Sequence, residues 1–346
     1  MSTLQEKVGQ MLLIGFRGLE IKGSDPVVRD LERCQIGGIV LFDKEMADTA
    51  LAARNIQSPA QVKALVESLK KMAQGPLLVA IDQEGGRVNR LKAEYGFPES
   101  ISHEELGTMN DPAVTFAHAE KTARTLAEAG INFNLAPVVD LDANENNPII
   151  KGKRRSFSAD PETVALHALE FCRAHHKHGI LTCAKHFPGH GSARADTHLG
   201  LVDVTPYWTE RELIPFQRLM EAKACDAIMT AHVFNAHLDK DRPATLSSAV
   251  LQGILRRRLA YDGVVLSDDM EMKAIADHYG LEQAMQYGIE AGLDMLCFGN
   301  NMNFDADIGE KTAGIILRLV ESGKISESRI DESFQRIQQM KQRLAY

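Results

Sequence analysis

The chain has 346 residues, 44% of them hydrophobic and 25% charged, with a formal net charge of −8. That length and apolar content can bury a large core, enough for two ordinary domains or for one barrel with insertions. A net negative chain without a lysine or arginine block argues against a nucleic-acid partner, and the lack of any apolar run of 18 residues argues against a membrane span.

In chain order, the opening segment MSTLQEKVGQMLLIGF carries no basic leader, and its apolar stretch is too short for a secretion signal, so a cytoplasmic protein is expected. The first predicted strand is MLLIGF (11–16), and GGIVLF (37–42) is the second. Val62, Leu65, Leu69 and Met72 then recur at helical spacing across 60–72. LLVAID (77–82) is the third strand, and it runs into AIDQEGGRVNRL, where Asp82 and Glu84 precede two arginines, Arg87 and Arg90. FNLAPVVD (133–140) is the fourth, and a helical pattern follows at 163–175 with Ala165, Ala168, Leu169 and Cys172.

GILTCAKH (179–186) is the fifth strand and opens KHFPGHGSARADTHLGL, a loop holding three histidines, an aspartate, three glycines and a proline. DAIMTAHV (226–233), GVVLSDD (263–269) and DMLCFGN (294–300) complete a set of eight. The chain closes on Ile330, Phe334, Ile337, Met340 and Leu344, an apolar stripe on a helix that packs across the rest. Near-continuous apolar strands separated by helix-length segments suit a parallel sheet covered on both faces. The expected fold is therefore α/β, a single (β/α)₈ TIM-type barrel over residues 1–346 with a C-terminal packing helix; an open doubly wound sheet is the alternative. Five cysteines, Cys34, Cys172, Cys183, Cys225 and Cys297, are an odd and scattered set, read as reduced thiols in the core.

Acidic and basic residues gather where these strands end: Asp82 and Glu84, Asp140 and Asp142, Lys185 and His186, His232, and Asp268 with Asp269. In a barrel, that end is the catalytic rim. Asp268 is carried there by a rigid apolar strand, the position of a nucleophile, and Asp269 is expected to N-cap the next helix with Glu271 in its first turn. Asp196 and His198 lie two residues apart, so a carboxylate can hold the imidazole and prepare it for proton transfer.

IDQEGGRVNRL, NPIIKGKRRSFSADP, KHFPGHGSARADTHLGL and GVVLSDDMEM, in that order over nearly the whole chain, resemble the glycoside hydrolase family 3 β-N-acetylhexosaminidases. The resemblance implies a barrel-only member, because no residues remain for the second sandwich domain of family 3 β-glucosidases. It implies a retaining, two-step hydrolysis of terminal β-linked N-acetylglucosamine without cofactor or metal, with Asp268 as nucleophile, His198 as acid/base and Asp196 completing the dyad. It also implies that Asp82, Arg90, Lys185, His186 and one arginine of KGKRRSF bind the sugar; Arg155 is taken as that arginine, with Arg154 as the alternative. The KGKRRSF turn is longer and more basic than the family's usual one.

Two other readings compete. His186, His190, His198, His232 and Asp268 could be imagined as a metal site of a barrel hydrolase, and a sugar-binding protein on a degenerate barrel would keep the arginine and lysine while losing the nucleophile or the dyad. The expected partner is a small carbohydrate, either a cell-wall muropeptide or a chitooligosaccharide, and the chain is expected to be a monomer.

Overall fold

The computed structural model describes residues 2–45 and 53–344. Its centre is a closed parallel barrel of eight strands: β1 (Leu12–Gly15), β2 (Gly38–Leu41), β3 (Leu78–Ile81), β4 (Phe133–Asn134), β5 (Leu181–Phe187), β7 (Ala227–Thr230), β9 (Val264–Asp269) and β10 (Met295–Phe298). The first and last strands pair in register, Leu12 against Leu296 and Ile14 against Phe298, which closes the ring. The expected α/β barrel is observed, and each of the eight apolar runs contributes one strand. Burial explains why they were visible: β1, β2, β3, β7 and β10 are buried at every residue, so no polar face interrupts the run.

The fourth run is the least regular. Only Phe133 and Asn134 form strand, after which Ala136 to Asp140 passes along the barrel with Val138 bridging to Lys185. Two pieces absent from the sequence reading, β6 (Val202–Asp203) and β8 (Val233–Phe234), form a small parallel sheet outside the barrel. It ties the long loop after β5 to the chain leaving β7.

The crossovers are helical for local reasons. Ser58 caps the helix Pro59–Met72 by accepting from the Gln61 amide, and Asp160 caps Pro161–His176 through Thr163. Each has proline at its first position, where the missing N–H is not needed. Leu65, Val66 and Leu69 turn inward on the former, and Val164, Ala168, Phe171 and Cys172 on the latter. All five cysteines are free thiols, four of them buried. Among the described residues no helix is long and apolar enough to cross a membrane.

The C-terminal helix Glu327–Lys341 crosses the end of the barrel where the strands begin. Ile330, Ile337 and Met340 are buried on it, and Leu344 is buried just beyond its end. Lys341 donates to Gln10 Oε1 and to the carbonyls of Gly37 and Pro76, which precede β2 and β3. Arg329 donates to the carbonyls of Ile289 and Leu293, and Ser333 to Asp294, which in turn accepts from the Val265 amide at β9. Polar groups at this end therefore tie strands to one another and leave the opposite rim free for chemistry.

Candidate active site

At that opposite rim a cavity of about 530 Å³ opens. Asp82, Arg90, Arg155, Lys185, His186, His198 and Asp268 all line it, and Asp196 holds His198 from behind. A second cavity, about 1050 Å³, lies beside the segment after β1, lined by residues such as Gly18, Asp25, Gln61 and Phe304. The larger one gathers none of the residues singled out from the sequence, and convergent polar groups count for more than volume.

The loop after β3 starts the site. Gln83 Oε1 accepts from the amides of Arg90 and Leu91, folding the loop back on itself, while Asn134 of β4 grips both the amide and the carbonyl of Gln83. Gly85 and Gly86 turn with φ of +104° and +59°, and a Cβ on Gly85 would stand 2.2 Å from the Ile101 carbonyl oxygen. Only glycine fits there. The turn delivers Glu84 to the barrel interior.

Glu84 is the hub of the buried charges. Arg155 donates to it through Nε at 2.8 Å and Nη2 at 2.7 Å, and Lys185 Nζ lies 2.7 Å from both Glu84 Oε1 and Asp82 Oδ1. Arg90 Nη2 is 3.3 Å from Asp82. Desolvation would raise the Glu84 carboxyl, but Arg155 and Lys185 outweigh it and hold the group well below the usual carboxylate range. Asp82 is lowered in the same way by Lys185 and Arg90 against its own burial. Such charges are tolerable inside a protein only because each is paired.

Arg154 points elsewhere, to Glu104 and Glu105, and its side chain is partly exposed. Arg155 is the buried neighbour whose guanidinium faces the cavity, and His103 Nδ1 meets its carbonyl at 3.0 Å.

The loop after β5 is anchored in its first half. Asp140 accepts from the His186 ring at 2.6 Å and from the His190 amide at 2.7 Å. Glu212 accepts from the Gly191 amide, Asn147 donates to the carbonyls of His190 and Gly191, and Trp208 donates to that of Pro188. The Arg155 guanidinium lies 3.3 Å from His186 Nε2, so the His186 proton belongs on Nδ1, facing Asp140. In the second half, the dyad segment is more exposed. His198 accepts its placement from Asp196, whose Oδ1 takes both the His198 amide at 2.8 Å and Nδ1–H at 2.7 Å. Among the described residues His198 Nε2 has no hydrogen-bond partner, and the ring lines the cavity. Burial would raise the Asp196 carboxyl, yet the His198 contacts bring it below its ordinary value.

Asp268, the penultimate residue of β9, lines the cavity. Burial alone would raise it, but His186, His232 and His198 together with the Asp269 amide bring it down to about 2. It is an ionised carboxylate aimed at the cavity. Asp269 does not cap the following helix as the sequence suggested. Its Oδ1 accepts from the Glu271 amide in a tight turn, and the helix begins only at Lys273, after Met272, with no side-chain cap. Burial and the Glu271 charge raise Asp269 to about 7.

The histidines imagined as metal ligands are engaged otherwise. His232 sits between Thr245 Oγ1 and the Asp269 carbonyl, and His190 lies near Thr197. Among the described residues no three His, Cys, Asp or Glu side chains form a metal-holding group.

Three participants escaped the sequence reading as site residues. Glu84 and Asp140 were placed on the rim without a role, and Lys153, which lines the cavity, was seen only as part of a basic turn. The run of charges in KGKRRSF was the available signal.

Residues 3–340 match the glycosyl hydrolase family 3 N-terminal domain. The β-hexosaminidase of Tolumonas auensis is 36% identical over 84% of this chain and 83% of that protein. Of solved structures, a glycoside hydrolase family 3 β-N-acetylglucosaminidase from a Paenibacillus species superposes with a TM-score of 0.90 at 37% identity, covering 99% of this chain and 63% of that one. A β-N-acetylhexosaminidase from Beutenbergia cavernae superposes with a TM-score of 0.87 at 28% identity, covering 99% of both chains. This chain thus spans less than two thirds of the Paenibacillus protein.

Proposed function

The chain belongs to glycosyl hydrolase family 3, whose members are glycosidases, and from that premise we propose that it is a retaining β-N-acetylglucosaminidase acting on muropeptide fragments of the bacterial cell wall or on chitooligosaccharides. The observation that carries the reading is one cavity holding an ionised Asp268 together with an Asp196-oriented His198.

The terminal sugar enters with its hydroxyls and N-acetyl group toward Asp82, Arg90, Lys185, His186 and Arg155. The Asp268 carboxylate attacks the anomeric carbon through an oxocarbenium-like transition state while His198 Nε2–H protonates the departing oxygen. The glycosyl–Asp268 ester is then opened by water that His198 deprotonates, so the sugar leaves with its β configuration retained. Asp196 holds the ring and stabilises the charge it gains. Free thiols throughout support action in a reducing cytoplasm.

Turnover of p-nitrophenyl N-acetyl-β-glucosaminide beside p-nitrophenyl β-glucoside, each with and without a chelator, tests this. A chelator-resistant preference for the N-acetyl sugar is expected. Preference for the glucoside would overturn the substrate, and activity lost to the chelator would bring back the metal-site reading.

The acid role of His198 has its own signature. His198→Ala is expected to slow a natural disaccharide by about 10²- to 10⁴-fold and an aryl glycoside with a good leaving group far less, because the latter needs little protonation. Asp196→Ala, which leaves the imidazole present but unheld, should show the same pattern more weakly. Equal losses on both substrates would remove His198 from the role.

A further inference from the structure

The carboxylates that hold Arg90, Arg155 and Lys185 come from one loop, and a group outside the cavity takes part in fixing that loop. Asp82 pairs with Lys185 and Arg90, Glu84 pairs with Arg155 and Lys185, and Gln83 stands between them. Asn134 Oδ1 accepts from the Gln83 amide at 3.1 Å, and Asn134 Nδ2 donates to the Gln83 carbonyl at 3.0 Å. Gln83 Oε1 in turn takes the amides of Arg90 and Leu91. The clamp works in one orientation of the Asn134 side chain. Turned over, it would face donor to donor at the Gln83 N–H and acceptor to acceptor at the Gln83 carbonyl.

His175 anchors Asn134 in that orientation. It belongs to the last turn of the helix Pro161–His176, is fully buried, and does not line the cavity. Its Nδ1 lies 2.9 Å from the Phe171 carbonyl, and its ring stacks on that of Phe171 with centroids 4.2 Å apart. A carbonyl oxygen only accepts, so Nδ1 carries the hydrogen and Nε2 is a bare acceptor. Nε2 takes the second Nδ2 hydrogen of Asn134 at 3.0 Å, which commits both donors of that buried amide. Burial brings the His175 pKa down to about 3, so the ring stays neutral and remains an acceptor at neutral pH. His198 and Asp268 are held separately, the one by Asp196 and the other by β9.

Resting on the glycosidase reading above, we infer that His175 is a positioning residue for sugar binding: through Asn134 and Gln83 it fixes the loop that presents Asp82, Glu84 and Arg90. It governs how tightly the sugar is held and not how fast the bond is cleaved.

His175→Phe keeps the ring stack and His175→Leu is a smaller apolar filling; both remove the acceptor and strand one buried hydrogen of Asn134. In each, KM for p-nitrophenyl N-acetyl-β-glucosaminide and Ki for N-acetylglucosamine as a competitive inhibitor are expected to rise by about tenfold, with kcat within about twofold of the wild type. His175→Gln, whose Oε1 reaches the position of Nε2, should recover most of the loss. A protein that is merely destabilised would lose kcat with its folded fraction and keep its KM. Hydrogen exchange reads the same relay without turnover. The amides of Gln83, Arg90 and Leu91 should exchange about tenfold faster in His175→Phe and His175→Leu than in the wild type, and be protected again in His175→Gln. An unchanged KM in the folded Phe and Leu variants, a loss confined to kcat, or no recovery in His175→Gln overturns the proposal. If the wild type does not cleave the aryl glycoside, the hydrolase reading has failed by itself and exchange alone decides: faster exchange at the three amides supports the relay, and unchanged exchange overturns it.

Discussion

Replacing Asp268 by alanine is expected to lower kcat/KM for an aryl N-acetyl-β-glucosaminide by on the order of 10⁴-fold or more, the scale seen when a covalent nucleophile is removed. The loss should leave the fold intact. Asp268 is held in place by strand geometry and accepts a bond from the Asp269 amide, while His186, His232 and His198 act on it through charge and not through direct hydrogen bonds, so the barrel should survive its removal. Unchanged thermal unfolding beside lost turnover would therefore separate chemistry from stability. A small anion such as azide fits the space vacated by the carboxylate, and it should partly restore turnover and yield the α-glycosyl azide. Substantial activity in Asp268→Ala without added anion would sink the assignment. The pH profile gives a second check. With Asp268 at about 2, the nucleophile stays ionised across the working range, so any loss of kcat/KM on acidification above about pH 3 must come from another group.

The largest effect on stability should come from Glu84→Ala. The substitution removes the bidentate partner of Arg155 and one of the two carboxylates on Lys185, both cations being buried. Breaking a buried pair from one side costs about 3–5 kcal/mol, because the charge left behind is not returned to water. For a chain of this length that corresponds to a fall in Tm of roughly 4–7 °C. The carboxyl is held below its ordinary value, so its contribution is complete above the unfolded pKa and disappears as pH falls through the folded one. The gap between wild type and Glu84→Ala should accordingly narrow in acid. A difference in Tm of less than about 1 °C at neutral pH would show that the network is not stabilised in this way. Sugar binding should suffer too, since Arg155 loses what fixes its guanidinium.

The barrel was legible because parallel strands covered on both faces must be apolar almost throughout, and runs such as LLVA and AIMT have no other easy reading. The positions of Asp82, Lys185 and Asp268 were legible for a related reason, as charged residues at the ends of such runs. The network behind them was not. Glu84 reaches Arg155 across 71 residues and Asp82 reaches Lys185 across 103, separations at which no local pattern operates. Asp269 misled because a carboxylate ahead of a helix normally caps it, whereas Met270 to Met272 here form an extra turn that consumes the carboxylate first. The sheet of β6 and β8 is too short at two residues per strand to leave a period.

Ring closure between β1 and β10, clamped from below by the C-terminal helix, sets the order in which the molecule can be made. On the ribosome, β1 emerges early and must wait for β10, with one hydrogen-bonding edge unsatisfied for tens of seconds at ordinary synthesis rates. Lys341, which grips the chain ahead of β2 and β3, arrives later still. Until it does, Asp268 and Lys185 have no closed wall to hold them at fixed separation. The chain should therefore gain the proposed activity only after the last barrel strand and the helix that clamps it have both been made.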